Sequence, residues 1–196
     1  MLRAMGKRVG KVSGEIQFLC RLERIYLYQD SGAEGIDYQR LKDWLLKCLR
    51  HKNLVELREN VFDFHLLSLS AKARDMKMEE VARDLARIRV RNPEARTFPE
   101  QPLPAEIDYE LRNLNVRRQE CLRPKEKQAR KSAVIYDAHL FMKILASLIP
   151  KKEKRLEFLH IVITEQMIAS FDPGDRYHLR SAFYGYPCMI STTGLV

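Results

Sequence analysis

The sequence predicts a mixed α/β or α+β domain, with a mixed β-sheet of about five to seven strands and helices packed on it. Two patterns carry this prediction: short runs rich in β-branched and aromatic residues, and longer segments whose apolar residues recur every three or four positions. In addition, 45% of the 196 residues are hydrophobic, which excludes disorder throughout the chain. We expect a basic, flexible leader at 1–22 and a single domain at 23–196, with a proline-rich and basic excursion at about 93–131.

Residues 24–58 have the pattern of a strand, a helix and a second strand. The β-rich run 24–28 leads into a turn, Asp37 can cap the helix that follows, and 54–58 is the second strand. The predicted apolar face of the helix consists of Tyr38, Leu41, Leu45, Cys48 and Leu49, with Trp44 beside it. Because a helix joins the two strands, we expect the strands to be parallel.

The middle of the chain is less regular. The apolar stretch 61–69 has no clear period, so its structure stays open. Asp75 is a candidate cap for a helix whose buried face would be Met78, Val81, Ala82, Leu85 and Ile88, and Pro93 would end it. Four of the eight prolines fall in 93–104, which indicates a loop, and 107–111 alternates as a strand does.

The second half predicts a strand, a helix and three further strands. Residues 133–136 form the first strand, and Asp137 can cap a helix that Pro150 stops. The apolar face of this helix would be Phe141, Met142, Leu145, Leu148 and Ile149. The nearly continuous apolar run 158–164 is typical of a central strand covered on both faces. A turn at 172–175 and short strands at 178–184 and 188–192 follow, so both halves of the chain can share one sheet.

The net charge is +9, and it is concentrated in two places. The stretch 112–131 has eight basic residues against two acidic ones; the basic residues are Arg112, Arg117, Arg118, Arg123, Lys125, Lys127, Arg130 and Lys131. A second cluster consists of Lys151, Lys152, Lys154 and Arg155. Such clusters attract phosphate backbones, but solvated loops and helix ends have the same composition, and both interpretations stay open. No aromatic residue interrupts the first stretch, so a stacking platform is not indicated there.

Cysteine spacing and hydropathy bear on the compartment. The four cysteines, Cys20, Cys48, Cys121 and Cys188, are far apart and form no C-x-x-C pair, which favours free thiols in a reducing interior. There is neither a secretory apolar core near the N-terminus nor a run of about 18 apolar residues. We therefore expect a cytoplasmic protein without a membrane partner.

No local motif supplies a catalytic centre. The sequence has no phosphate-binding glycine loop, no G-x-S-x-G and no H-E-x-x-H, and His139 is followed at the fourth position by Lys143 instead of a second histidine. Side chains from several strand ends could still converge, with His160, His178 and Cys188 as metal candidates and Glu165 as a candidate general base. The alternative is that each histidine is a hydrogen-bonded strand residue and that Cys188 is a buried structural thiol.

Most of residues 24–196 resemble one family. The matching segments are 25–28, 85–93, 134–137, 159–172, 176–180 and 185–196, and the most specific is Gly-Tyr-Pro-x-x-Ile-Ser-Thr-Thr-Gly in the last. Together they resemble an archaeal family of uncharacterised proteins assigned to the metallopeptidases. The run of a strand, a turn and a strand ending in Ser-Thr is also similar to the region before the active-site helix of archaemetzincins.

The resemblance implies zinc as cofactor and peptide as substrate. Since the family pattern continues past the Gly-Leu-Val at 194–196, we expect a truncated chain that lacks downstream ligands and is not catalytically competent. Two alternatives stay open. One is a nucleic-acid-binding module that uses the basic 112–131 segment. The other is an interaction protein that forms homo-oligomers through an exposed C-terminal edge strand.

Overall fold

The computed structural model describes residues 22–29, 33, 35–49, 54–66, 68–120 and 134–193, with the side chains of 116–120 left out. These residues form two β-sheets with helices packed on them. The elements in chain order are β1 (Arg24–Tyr28), α1 (Tyr38–Leu49), β2 (Val55–Arg58), α2 (Val61–Leu66), α3 (Ala71–Arg87), α4 (Pro104–Glu120), β3 (Ile135–Asp137), α5 (Ala138–Leu148), a 3₁₀ helix (Lys151–Glu153), β4 (Phe158–Thr164), β5 (Met167–Phe171), β6 (Tyr177–Arg180), β7 (Ala182–Phe183) and β8 (Cys188–Ser191). The predicted mixed α/β class is confirmed.

The larger sheet has five strands in the order β2-β1-β4-β8-β7. Strand β1 runs parallel to both β2 and β4, which confirms the predicted strand-helix-strand unit, and β4 is central as its apolar run predicts. The C-terminal strand β8 is not at an edge, because it pairs with β4 on one side and with β7 on the other. The location predicted for an oligomer-forming edge strand is therefore wrong, while oligomerisation itself stays a prediction.

A second, three-stranded sheet has the order β3-β5-β6. Strands β3 and β5 are parallel, and β5 and β6 form an antiparallel pair. The expectation of one sheet shared by both halves holds only for the larger sheet. The sequence pattern missed β5, a strand of five residues that follows β4 after only two residues, Glu165 and Gln166.

Opposite faces of the five-stranded sheet belong to different cores. Tyr26 and Tyr28 of β1 face a large core that contains residues of α2, α3, α4, α5 and the second sheet. Their neighbours Ile25 and Leu27 point the other way, into a smaller core under α1. Because side chains alternate along a strand, this division extends across the sheet through the register of β1 with β2 and β4.

Helix α1 lies on the smaller core and is only lightly buried. The backbone N–H of Arg40 donates to Asp37 Oδ1 at 2.9 Å, so the predicted cap is confirmed. None of its twelve residues is buried, and Cys48, predicted on the apolar face, is exposed. The residues that contact the sheet side are Tyr38, Leu41, Leu45, Leu46 and Leu49.

The start of α3 differs from the prediction. The helix begins at Ala71 after Ser70, one turn before the predicted cap Asp75, because the Ala-Lys-Ala-Arg sequence at 71–74 consists of strong helix formers. Its predicted buried side is confirmed at Met78, Val81, Ala82, Leu85 and Ile88. The open stretch before it forms α2, where Asn60 Oδ1 accepts the backbone N–H groups of Phe62 and Asp63 at 3.0 Å each.

The predicted strand at 107–111 is wrong, since these residues lie inside α4. Pro104 occupies the first helical position, where its fixed φ favours a helix, and Glu106 accepts the backbone N–H of Leu103 at 3.1 Å. Ile107, Leu111 and Leu114 are spaced by three or four residues and pack into the larger core. The helical spacing of these apolar residues, and not the short alternation at 107–111, therefore determines the local structure.

The predictions for α5 hold. The carboxylate of Asp137 accepts the backbone N–H of Leu140 at 3.0 Å, which confirms this residue as the cap. The helix ends before Pro150. Its buried side consists of Ala138, Phe141, Ile144, Leu145 and Leu148, while the predicted Met142 is only half-buried.

Candidate functional site

A buried polar cluster lies on the larger-core face of the five-stranded sheet. It consists of Tyr28, Arg58, His65, Glu153 and His160, which come from β1, β2, α2, the 3₁₀ helix and β4. Strand register places Arg58 directly beside Tyr28, and His160 beside Tyr26 on the same face. The parallel strands therefore bring together side chains that are more than 100 residues apart in the chain.

His160 has hydrogen bonds at both ring nitrogens. Its Nδ1 lies 2.9 Å from Tyr28 Oη, and its Nε2 lies 3.1 Å from the backbone carbonyl oxygen of Glu153. A carbonyl oxygen only accepts, so Nε2 carries the hydrogen. Burial lowers the pKa of His160, and the neutral ring then accepts at Nδ1 the hydrogen of the Tyr28 hydroxyl.

This assignment determines the other roles in the chain of hydrogen bonds. Because the Tyr28 hydroxyl donates to His160, its oxygen accepts from His65 Nε2 at 2.9 Å and from Arg58 Nη1 at 3.2 Å. Burial also raises the pKa of Tyr28, which keeps the hydroxyl protonated. One arrangement of protons thus satisfies the Tyr28 hydroxyl, both ring nitrogens of His160 and Nε2 of His65.

Arg58 supplies the buried positive charge of the cluster. Its guanidinium contacts Glu153 and Glu56 at 2.8 Å each, and it lies 3.5 Å from the ring centroid of Tyr26. Burial lowers the pKa of Arg58, but its hydrogen bonds outweigh that effect and raise the pKa overall. For Glu153 burial raises the pKa, but the hydrogen bond to Arg58, the charge of Arg58 and the smaller contributions of His160 and His65 together lower the pKa below the usual value. The two groups form a charged pair within a largely buried region.

The two imidazoles of the cluster are neutral near pH 7. Burial lowers the pKa of His65 from its ordinary value of 6.5 to about 4, Glu153 opposes this shift, and Arg58 adds to it. A proton on either ring would place a second positive charge beside the guanidinium. The cluster therefore combines one ion pair with a set of neutral, directional hydrogen bonds.

Comparison with known proteins assigns the chain to a family. Residues 21–196 match the family model described as "Probable metallopeptidase family (DUF6775)". The chain belongs to this family. Searches among curated proteins and among solved structures found no match to it. The resemblance to metallopeptidases is confirmed at the level of the family.

Hydropathy adds one structural observation about this member of the metallopeptidase family. Within the described ranges, none of the helices combines the length and the apolar character that a bilayer-spanning helix requires.

A metallopeptidase normally uses a metal, often zinc, with about three protein ligands and an open position. Among the residues that the structure describes, no group of three or more His, Cys, Asp or Glu side chains is arranged to hold a metal ion. His160 offers no free lone pair, because the lone pair of Nδ1 accepts from Tyr28 and Nε2 carries a hydrogen. The described part of the chain therefore does not fit a catalytic zinc.

The four predicted site residues lie in different places. Cys188 pairs in register with Ile161, so its side chain is on the face opposite His160, where Sγ donates to the carbonyl oxygen of Gly185 at 3.4 Å. His178 belongs to the second sheet, and its Nε2 lies 2.8 Å from Asp175 Oδ2. Glu165 follows the carboxyl end of β4, about 16 Å along the strand from His160.

The predicted phosphate-binding residues are described only in part. Arg112 is exposed on α4, and Arg117 and Arg118 continue the same helix. Arg123, Lys125, Lys127, Arg130 and Lys131 lie outside the described residues. Of the basic segment, residues 112–120 are helical and 121–131 lie outside the described residues.

Sequence reasoning missed Tyr28, Arg58, His65 and Glu153 as members of the cluster. A signal for two of them was present, because Tyr28 and Arg58 occupy equivalent last positions of two parallel strands. A basic residue at the end of a buried strand needs a partner, and that requirement points to a nearby carboxylate and hydroxyl. His65 had no such signal because α2 was not recognised, and Glu153 had none because it lies among lysines in a short connection.

Proposed function

We propose that this chain is a metallopeptidase-family domain that does not cleave peptides on its own. In this proposal His160 organises the fold instead of holding zinc. The observation that supports it is that both ring nitrogens of His160 bond to protein groups, Tyr28 Oη and the Glu153 carbonyl oxygen, in a side chain with no exposed surface.

Ligation of zinc by His160 would carry a large cost. The ring would have to lose its bonds to Tyr28 and Glu153, and their buried polar groups would then lack partners. A divalent cation at Nδ1 would also approach the Arg58 guanidinium, which lies 3.2 Å from the same hydroxyl. Both effects favour the hydrogen-bonded imidazole over a metal ligand.

The other candidates support the same conclusion. A general base has to reach a metal-bound water within hydrogen-bond distance, and Glu165 lies at the far end of β4 from His160. Cys188 is separated from His160 by the sheet itself, and His178 is in the other sheet. Their roles as ligands or base stay predictions, and no catalytic step follows from their present positions.

Zinc content and peptide hydrolysis test the proposal together. We expect the purified chain, incubated with zinc and dialysed, to hold much less than one zinc per molecule and to leave a quenched fluorescent peptide library uncut. His160→Gln should lower the melting temperature without changing the zinc content, whereas His178→Gln, at a more exposed site, should change neither. One zinc per chain that His160→Gln removes, with cleavage that a chelator abolishes, would overturn the proposal.

A second candidate function is nucleic-acid binding through the basic 112–131 segment. It is favoured by the exposure of Arg112 on α4 and by the excess of eight basic over two acidic residues in the segment. Phosphate contacts by this segment would make the affinity fall steeply with salt. Replacing Arg112, Arg117 and Arg118 by Gln should then weaken duplex DNA binding, and an unchanged affinity would remove the segment from consideration.

A further inference from the structure

The connection between α5 and β4 presents an unusually one-sided distribution of charge. Residues 151–156, here called the cationic loop, read Lys-Lys-Glu-Lys-Arg-Leu. All four basic side chains are exposed, whereas Glu153 turns inward with 13% of its side chain exposed and pairs with Arg58. The one acidic residue of the loop is thereby removed from its outer surface, which is left with positive charge only.

The backbone of this loop is held in place by the buried cluster. The Glu153 carbonyl oxygen accepts from His160 Nε2 at 3.1 Å and from Tyr186 Oη at 2.6 Å. Within the loop, the N–H of Lys154 donates to the carbonyl of Lys151 at 3.1 Å. Because the backbone is fixed, the ordering that binding requires of the protein would be confined to the lysine side chains.

Three of the four cations are available to an outside anion. Arg155 is partly neutralised by Glu157 at 3.3 Å and by Glu23 at 3.5 Å. Lys151, Lys152 and Lys154 form no ion pair with any residue in the described ranges. They provide three positive charges within a span of four residues, at the surface of a chain whose net charge is already +9.

An exposed aromatic ring lies on the neighbouring loop. Tyr184 is 88% exposed and stands two residues before Tyr186, whose hydroxyl contacts the Glu153 carbonyl. Leu156, at the end of the cationic loop, is 82% exposed. The surface therefore combines exposed cations on a fixed backbone with a freely accessible π-face, and aromatic rings of this kind are platforms on which unpaired bases stack.

We propose that the cationic loop and Tyr184 bind single-stranded nucleic acid, the lysines contacting backbone phosphates and the ring of Tyr184 stacking on a base. This surface is separate from the 112–131 segment and does not depend on the metallopeptidase proposal. An anionic membrane is the competing partner for exposed lysines. It is less favoured because insertion requires several apolar side chains, and Leu156 is the exposed aliphatic residue of the loop.

Fluorescence anisotropy with a labelled oligouridylate of about 15 nucleotides tests the proposal. Replacing Lys151, Lys152 and Lys154 together by Gln should weaken binding about tenfold or more at low salt. It should also reduce the slope of log K against log salt by about 2, as expected for three lost phosphate contacts on a single strand. Tyr184→Ala should weaken binding about fivefold or more without changing that slope.

The matched control removes the same charge elsewhere. Lys47, Lys72 and Lys143 are exposed, lie on three different helices and form no ion pair with the described residues. Their replacement by Gln should lower the affinity much less than the loop variant. Equal weakening by both triple variants, or full affinity of Tyr184→Ala, would overturn the proposal. So would a wild-type chain that ignores the oligonucleotide but sediments with phosphatidylcholine–phosphatidylglycerol vesicles in a manner that depends on the loop lysines.

Discussion

The two faces of the five-stranded sheet are stabilised by different kinds of interaction. On one face Tyr28, Arg58 and His160 form directional bonds in which every donor has a defined acceptor. On the other face Ile25 and Leu27 are fully buried by apolar contacts under α1, a helix that has no buried residue of its own. The polar face depends on each of its members, whereas the apolar face tolerates adjustment because hydrophobic contact has no preferred direction.

This difference bears on how a metallopeptidase-family sequence is interpreted. His160 stands in the central strand of the sheet, where an unpartnered imidazole would suggest a metal ligand. Its two hydrogen bonds connect β1, β4 and the 3₁₀ helix. A histidine in a buried strand is therefore a candidate ligand only after its two nitrogens have been accounted for.

The largest expected effect on stability comes from removing the buried positive charge of the polar face. Arg58→Ala leaves the Glu153 carboxylate in a largely buried site without its main partner, and we expect a loss of about 3–5 kcal/mol in the free energy of unfolding. Chemical denaturation measures this loss. Arg24→Ala, which removes an exposed partner of Glu56, should cost less than about 1 kcal/mol.

A double variant separates the lost charge from the lost packing of Arg58. Glu153→Gln in the Arg58→Ala background removes the uncompensated carboxylate, so it should recover part of the stability. The Arg58 guanidinium also covers the rings of Tyr26 and Phe64, so recovery should not be complete. A single Arg58→Ala variant as stable as Arg24→Ala would show that the ion pair contributes little.

The second-largest expected effect is a loss of folding stability at acidic pH. The pKa of His65 falls from 6.5 in the unfolded chain to about 4 in the folded protein, because the ring is buried. Between these values the unfolded chain takes up a proton that the folded protein does not, so stability falls as the pH is lowered. From pH 7 to pH 5 this residue should account for a loss on the order of 1–2 kcal/mol.

His65→Gln isolates that contribution. An amide can still donate to Tyr28 Oη but does not titrate, so the variant should lose less stability than the wild type between pH 7 and pH 5. Thermal denaturation at the two pH values measures the difference. His139→Gln, outside the cluster, should retain the wild-type dependence, and identical curves for all three proteins would contradict the role given to burial of His65.

The sequence predicts most elements of the fold because their signals are local. The strand-helix-strand unit at 24–58 and the cap Asp137 of α5 follow from spacing and capping chemistry within a few residues. The wrong predictions also have local causes. At 107–111 a short alternation was also compatible with helical spacing, and only the pairing of Arg89 with Glu110 and the packing on α3 resolve it.

The polar cluster could not be predicted in the same way. Tyr28 and His160 are 132 positions apart, and their contact depends on the register of two parallel strands. The side of β8 on which Cys188 lies depends equally on register, since a shift of one residue would move it to the face of His160. Candidate ligands chosen by residue type alone were therefore spread over both faces and both sheets.

The smallest expected effect concerns the apolar face. Trp44 on α1 is 59% exposed, so Trp44→Ser should change the free energy of unfolding by no more than about 0.5 kcal/mol. Leu45→Ala, whose side chain packs on the smaller core, should cost more, because it removes apolar contact with the sheet.

Amide hydrogen exchange then sharpens the comparison between the faces. We expect the amides of α1 to exchange faster than those of β1, because a helix without buried residues can detach locally while the sheet stays folded. Neither Trp44→Ser nor Leu45→Ala should change amide exchange in β4 near His160, because the hydrogen bonds of His160 lie on the opposite face of the sheet. If Leu45→Ala accelerates exchange on both faces equally, the two cores unfold as one unit and are not independent in stability.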